Sequence, residues 1–425
     1  MINPRTKLNV FRVLLVTDQC ISPGGITRYT RLLFKESSKK GYDVHMICYY
    51  DNAYISRYRV ATKSIRTLAS FFGRKLPPPF PDPVFLAYIL RIVMKHRPDI
   101  IHAHGLSAIT VLPVASILRI PLIVHLHDYG FICLKRDMFD LSKLMVCKKP
   151  TIRRCLRCGI AVYGFKAAIL YILLKLFAQL LTRAASIFIS PSEYVKNVHV
   201  RYLNKLERKI IIIPNCVSLI ESKTQSTTNE LLKRYGLENS EYLLYVGKIS
   251  LHKGVHDLIK AFIIFKYNHL INHSTNIKLV MAGTIDKQFK PLIEKVTNVK
   301  DILILTEVTD GELNELYSNA KGIILAPRWP EVFGLTAFEA MLYKKPIIIT
   351  NVGGLIEYAK LYPFLYICAP GDHTCLIKAM KEIVNSKVQN GNYQEKTVKM
   401  LNKLSSFFSC QNILDKIMKL YEALK

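Results

Sequence analysis

Acidic residues are scarce in the first half of this 425-residue chain. Residues 1 to 210 hold 11 Asp and Glu against 34 Lys and Arg, whereas the remainder holds 20 against 26. A chain-wide solubility bias would spread the net charge of +29 evenly. The skew points instead to an anionic partner for the first half: nucleic acid, lipid headgroups or a lipid-linked diphosphate. Long uncharged apolar runs are also missing. None reaches the ~20 residues that a spanning helix needs. The polar start from Met1 to Lys7 leads into a strand pattern and not a signal-peptide core. The expectation is a cytoplasmic protein, peripheral on the inner face of a membrane. Histidine spacings diagnostic of a metal are lacking as well, which argues against a metal at His102, His104, His125 and His127.

What is present is a globular composition, half of it hydrophobic, with room for two or three cores. Apolar runs of strand length recur at helix-sized intervals, at residues 12–17, 44–48, 99–103, 122–126, 186–190 and 209–213. The second half repeats the rhythm at 242–246, 278–282, 302–305, 322–325, 346–350 and 364–367. Such runs predict parallel sheets covered by helices on both faces. The fold class is α/β, with two Rossmann-like doubly wound domains facing a central cleft, where small ligands bind. Expected bounds are 1–214 for the first domain, 215–400 for the second and 401–425 for a terminal helix. The crossover falls at Pro214-Asn215-Cys216-Val217-Ser218.

The most informative stretch runs from Ala326 to Met341. The strand pattern 322–325 ends in a proline-bounded loop carrying Glu331, and a helix is expected to start near Gly334. The amides of Gly334, Leu335 and Thr336 would then face outward at the positive end of the helix dipole, a site for a phosphate. Glu339 lies about one and a half turns further on and could accept hydrogen bonds from sugar hydroxyls. Read alone, two glutamates beside a helix start are as readily surface acids.

Glu331 and Glu339 are separated by seven residues, with Pro346 and Gly353-Gly354-Leu355-Ile356-Glu357 downstream. This resembles the E-x7-E region of retaining nucleotide-sugar glycosyltransferases of the GT-B fold, especially the GT4 family. The resemblance extends over most of the chain. Gly24-Gly25, after the first strand, matches the family's glycine-rich loop, whose backbone faces the donor diphosphate. His127 aligns with its active-site histidine near the transferred sugar, and His104 with a structural H-A-H stretch. Lys248 and Lys253-Gly254 match a G-R…K-G pattern whose cations sit on the donor phosphates. Lys248 keeps the charge of the family's arginine but loses its bidentate fork. Cys216, Ser218, Thr284 and Thr306 depart from the family's pattern.

The resemblance implies transfer from a nucleoside diphosphate sugar to an acceptor hydroxyl with retention and without an essential metal. Glu331, His127 and Lys253 would be catalytic. Gly24, Gly25, Lys248, Lys253, Phe333, Gly334, Leu335, Thr336 and Glu339 would bind the donor. The acceptor is expected to be a glycan or lipid-linked precursor.

Three further segments stand beside that frame. Residues 52–80 carry Arg57, Arg59, Lys63, Arg66, Arg74 and Lys75 interleaved with Tyr54, Tyr58, Phe71 and Phe72 and no acid, which suits an anionic membrane, RNA or a solvated face. Within an insertion at 133–158, Cys133, Cys147, Cys155 and Cys158 could close a tetrahedral structural zinc site or remain free thiols. From Phe165 to Arg183 an apolar run bears Tyr171, Lys175, Gln179 and Arg183 on one stripe, as on a helix in a membrane interface or over a core. A basic, zinc-bearing nucleic-acid binder would account for the charge and the cysteines, but it leaves the ordered glycine, lysine and glutamate motifs unexplained. A non-catalytic nucleotide-binding homologue is the other alternative.

Overall fold

The apolar runs become strands because both of their faces are covered. In the computed structural model, which describes residues 10–21, 24–49, 53–56, 59–62, 78–140, 142–148, 150–217, 230–270, 277–296, 299–386 and 395–425, every one of the twelve runs is a strand to within a residue at either end.

The chain divides into two units. The first comprises 1–138, 148–216 and 410–425, and the second 139–147 and 217–409. In chain order the first part runs β1 (Arg12–Thr17), α1 (Gly25–Lys39), β2 (Asp43–Cys48), β3 (Ala53–Ser56), β4 (Arg59–Thr62), α2 (Pro83–His96), β5 (Ile100–His104), α3 (Ser107–Ile117) and β6 (Leu122–His125). It continues with β7 (Phe139–Asp140), β8 (Met145–Val146), α4 (Ile152–Tyr163), α5 (Ala167–Ala184), β9 (Ile187–Ser190), α6 (Glu193–Tyr202) and β10 (Ile210–Ile212). The first unit's sheet has the order β10-β9-β6-β5-β1-β2-β3-β4. Its strands are parallel except for the β3–β4 hairpin at the edge. That hairpin takes up the start of the basic segment; Arg57, Tyr58, Lys63, Arg66, Phe71, Phe72, Arg74 and Lys75 lie outside the described residues.

The second part contains α7 (Glu230–Arg234), β11 (Glu241–Val246), α8 (Val255–Leu270), β12 (Ile277–Ala282), α9 (Lys290–Val296), β13 (Ile302–Leu305), α10 (Asp310–Asn319) and β14 (Gly322–Leu325). Then come α11 (Leu335–Leu342), β15 (Ile347–Thr350), α12 (Leu355–Ala359), β16 (Leu365–Cys368), α13 (His373–Asn385), α14 (Glu395–Phe407) and α15 (Cys410–Ala423). Its sheet is parallel throughout, in the order β13-β12-β11-β14-β15-β16. Both units are therefore doubly wound and Rossmann-like, the pairing of sheets that defines GT-B.

Local chemistry sets the helix starts. Asp82 caps α2 by accepting from the Val84 and Phe85 amides, with Pro83 in the first turn. Thr309 and Glu312 close a capping box on α10.

The expected single tail helix is in fact two. Phe408 packs on Phe333, Phe338 and Tyr358 of the second unit, which holds the end of α14 there. The helix breaks at Phe408-Ser409, and α15 belongs to the first unit, where Ile413, Leu414, Ile417 and Tyr421 join the core with Val13, Leu15 and Tyr29. The expected insertion is divided too, since 139–147 falls in the second unit.

Candidate active site

Each sheet has one point where successive connections leave in opposite directions, and loops diverging there open a crevice at the strand C-termini. In the second unit it lies between β11 and β14, and in the first between β5 and β1. The loop after β11 carries Lys248, Lys253 and Gly254, and the loop after β14 carries Trp329, Glu331 and Gly334. Two strands thus gather residues about 80 positions apart in sequence.

The second-unit site centres on one carboxylate oxygen. Glu331 Oε1 accepts from Lys253 Nζ at 2.5 Å and from Trp329 Nε1 at 2.9 Å. The same ammonium stands 4.7 Å from the centre of the Trp329 ring. Two glycines allow this approach. Gly254, at φ +67°, lies so close to the next loop that a Cβ would sit 1.7 Å from the Ala326 carbonyl oxygen. A Cβ on Gly353, at φ +68°, would meet Glu331 O at 2.2 Å and Glu331 N at 2.4 Å. The Gly354 amide then donates to Glu331 O at 2.6 Å, so both backbone and side chain of Glu331 are held. His252, beside Lys253, is pushed down to about 4 by burial first and the lysine charge second. It is neutral at physiological pH.

A second network braces that loop. Arg328 donates to Asp257 through Nε at 2.5 Å and Nη2 at 2.7 Å, and His373 Nε2 approaches Asp257 at 3.0 Å. Burial alone would raise the Asp257 carboxyl. The Arg328 hydrogen bond and the nearby His256, Arg328 and His373 outweigh it and hold the group below the usual carboxylate range. The Arg328 and Trp329 amides both donate to His252 O. Sequence reading missed Trp329, Arg328 and Asp257. Only Trp329 left a signal, as the one tryptophan in the chain, two residues before Glu331.

The other expected donor residues occupy distinct positions. Helix α11 begins at Gly334 with no side-chain cap. The amides of Gly334, Leu335 and Thr336 have no acceptor among the described residues, which leaves the helix start open to an anion. Lys248 pairs with Asp286 at 2.6 Å and is half exposed. Glu339 is buried and accepts from Tyr317 Oη at 2.9 Å. The Phe333 ring is buried and stacks on Phe338 at 4.5 Å. Apolar area drives it into the core, so only its backbone can face a ligand.

In the first unit the switch point is occupied by Asp18, which follows β1. Its carboxylate accepts from the Ser107 amide at 2.9 Å, at the start of α3, and from Arg136 Nη2 at 2.6 Å. Arg136 also donates to Asp128 through Nε at 2.8 Å. Asp18 and Arg136, 118 residues apart, were not singled out from the sequence. His127 is half-buried beside them, and its Nε2 shares a hydrogen bond with His104 Nδ1 at 2.8 Å. Burial, opposed by Asp128 and aided by Arg136, pushes His127 down to about 4. A neutral imidazole can exchange hydrogen bonds with a hydroxyl but supplies no charge to a phosphate. Gly24 and Gly25 open α1, and a Cβ on Gly24 would meet nothing within 4 Å.

Cys133, Cys147, Cys155 and Cys158 are in no disulfide. Cys155 instead shares a hydrogen bond with the Tyr171 hydroxyl, and burial pushes the Cys133 thiol up to about 12. The sulfurs that do pair are Cys20 with Cys48 and Cys368 with Cys375. The described ligand cluster is His102, His104 and His125, with one ring nitrogen each within 4.8 Å of the others. All three are buried, and burial holds them well below the usual histidine range.

With the geometry in view, comparison with known proteins is informative. The family described as glycosyl transferases group 1 matches residues 228–400, and glycosyltransferase family 4 matches 23–220. The capsular polysaccharide biosynthesis glycosyltransferase CapM of Staphylococcus aureus is 26% identical over 236 residues, 53% of this chain and 58% of that protein. The chain thus spans little more than half the length of this curated relative. Sucrose-phosphate synthase of Thermosynechococcus elongatus superposes with a TM-score of 0.72 at 16% identity, covering 97% of this chain and 99% of the other. Anabaena HepE, solved with UDP and glucose, superposes at 0.65 and 16% identity, covering 97% and 100%. At such identities the two superpositions establish likeness of fold.

Proposed function

We propose that this chain, which belongs to the glycosyl transferases group 1 family with a family 4 first half, moves a hexose from a nucleoside diphosphate sugar to an acceptor hydroxyl with retention. The observation that carries the reading is the Lys253–Glu331–Trp329 cluster at the switch point of the second unit, beside the uncapped start of α11. Loss of a nucleoside diphosphate concentrates negative charge on the leaving group. An ammonium and several outward amides, fixed before reaction, suit that charge without a metal.

Lys253 holds the diphosphate, with Lys248 assisting from the half-exposed rim. Glu331, held on both sides, accepts a hydrogen bond from a sugar hydroxyl and orients the ring. Glu339 is assigned to the ribose, by release of Tyr317. His127 exchanges hydrogen bonds with a reactant hydroxyl, and the loop at Gly25 offers backbone amides. The name of CapM, together with the cationic first half, supports a glycan or lipid-linked precursor as acceptor, met at the inner face of a membrane by a peripheral protein.

A thermal-shift panel of UDP, ADP and GDP with their glucose conjugates tests the donor side. One nucleotide at 100 times its Kd should stabilise the protein by about 2.7 kcal/mol. No response to any of them at millimolar concentration would contradict the reading.

A further inference from the structure

Helices α4 and α5 form a feature that the donor site does not use. From residue 141 to residue 192 the chain has no acidic residue and nine basic ones. The helical stretch Ile152–Ala184 is apolar enough to span a bilayer, yet only 22% of its most apolar window is buried. The exposure is ordered. Phe165 is 100% exposed, Ile169 60%, Ile172 65%, Leu176 52% and Leu180 40%. At about 100° per residue Ile169, Ile172, Leu176 and Leu180 fall within an arc of roughly 80°, a ridge about 17 Å long, and Phe165 precedes it in the turn Gly164–Lys166. The opposite face, with Ala167, Leu170, Leu174, Ala178 and Leu181, is buried in the first unit. Helix α5 is therefore apolar on both sides, one of which packs and one of which does not. Lys175 lies between the two faces, Gln179 at the margin of the ridge and Arg183 at its C-terminal end.

We infer that this outward ridge is a docking surface for an anionic lipid bilayer. An apolar ridge of this length exceeds what scattered surface side chains explain. Exposed Arg153, Arg157, Lys166 and Arg183 flank it, and they complement lipid phosphates as the ridge enters the acyl boundary. Charge also decides against a second copy of the chain, because a two-fold contact on this face would set cations against cations with no acid to answer them. Lys175 and the buried opposite face argue against a span: inserting α5 would strip Leu174 and Leu181 from the core. The inference rests on the reading above for its purpose, reaching a lipid-linked acceptor, and on these two helices for its evidence.

The test is flotation of the full chain with vesicles of phosphatidylcholine alone or with 30 mol% phosphatidylglycerol, about the anionic content at which a polybasic face binds. The wild type should float with the anionic vesicles and be released by high salt. Phe165→Ser with Ile172→Ser should lower binding at least tenfold. Arg153→Gln, Arg157→Gln and Lys166→Gln together should lower it about a hundredfold, at roughly fivefold per charge, on anionic vesicles only. Nucleotide-induced thermal shift on the same proteins reports the donor site separately, so a failed surface and a failed transferase reading give different patterns. The proposal is overturned if the wild type ignores anionic vesicles, if the serine variant floats as well as the wild type, or if release requires detergent. It is also overturned if light scattering shows a dimer that the serine substitutions dissolve.

Discussion

Acid should weaken the first unit, and His199 allows the effect to be measured one group at a time. Its ring is buried, donates to Val195 O through Nδ1 at 2.8 Å and stacks on Tyr129 at 5.8 Å. Burial pushes its pKa down to about 4, against an opposing backbone hydrogen bond and the Asp128 charge. Because the folded value lies below the unfolded one, the unfolded chain binds a proton that the folded chain does not at pH values between about 4 and 6.5. Stability is therefore intact above 6.5 and falls as pH drops through that window. At ~1.4 kcal/mol per pH unit, moving from pH 7 to pH 5 removes about 2 kcal/mol for this residue. His127 is held at about 4 as well and should contribute a similar loss. Amide exchange over β9 and α6, which contain and adjoin His199, reads the free energy of opening directly. His199→Gln keeps a donor for Val195 O and cannot titrate, so between pH 7 and pH 5 it should lose about 2 kcal/mol less than the wild type. Parallel pH profiles for the two proteins would refute the reasoning.

Three other outcomes follow from the site. Lys253→Ala should weaken nucleoside diphosphate binding by about 10- to 100-fold, the worth of a charged hydrogen bond; calorimetry giving equal affinity would dismiss the assignment. Gly254→Ala places a methyl group on the Ala326 carbonyl in a left-handed backbone, so chemical denaturation followed by Trp329 fluorescence should show a loss of about 3 kcal/mol. Arg136→Met strands the Asp18 and Asp128 carboxylates, at about 3–5 kcal/mol. Adding Asp18→Asn and Asp128→Asn should return part of that stability in the same measurement, and no recovery would count against the network.

How much was legible depends on the range of the interaction involved. The runs at 12–17, 302–305 and 322–325 match β1, β13 and β14 end to end, because strands covered on both faces must be continuously apolar. The hairpin β3–β4 and the two-residue strands β7 and β8 left no such run. Glu331 and Lys253 could be picked out by family resemblance, yet their direct pairing, with Trp329 on the same carboxylate oxygen, is a product of the fold. Asp18, following the first strand, drew no notice because its partners Arg136 and Ser107 lie far along the chain. Phe333 shows the converse. It sits inside the motif, but its ring answers to Phe338 and Phe408 in the core.

The carboxylate of Glu331 is where the whole reading converges, and turnover of Glu331→Ala tests it most directly. With the donor selected by thermal shift and a glycan-precursor extract as acceptor, release of nucleoside diphosphate should fall by at least about a hundredfold, as when a group that positions the reactant is lost. The nucleotide should still raise the thermal midpoint, because Lys253 and the start of α11 remain. A Glu331→Ala protein that turns over donor at the wild-type rate would contradict the account.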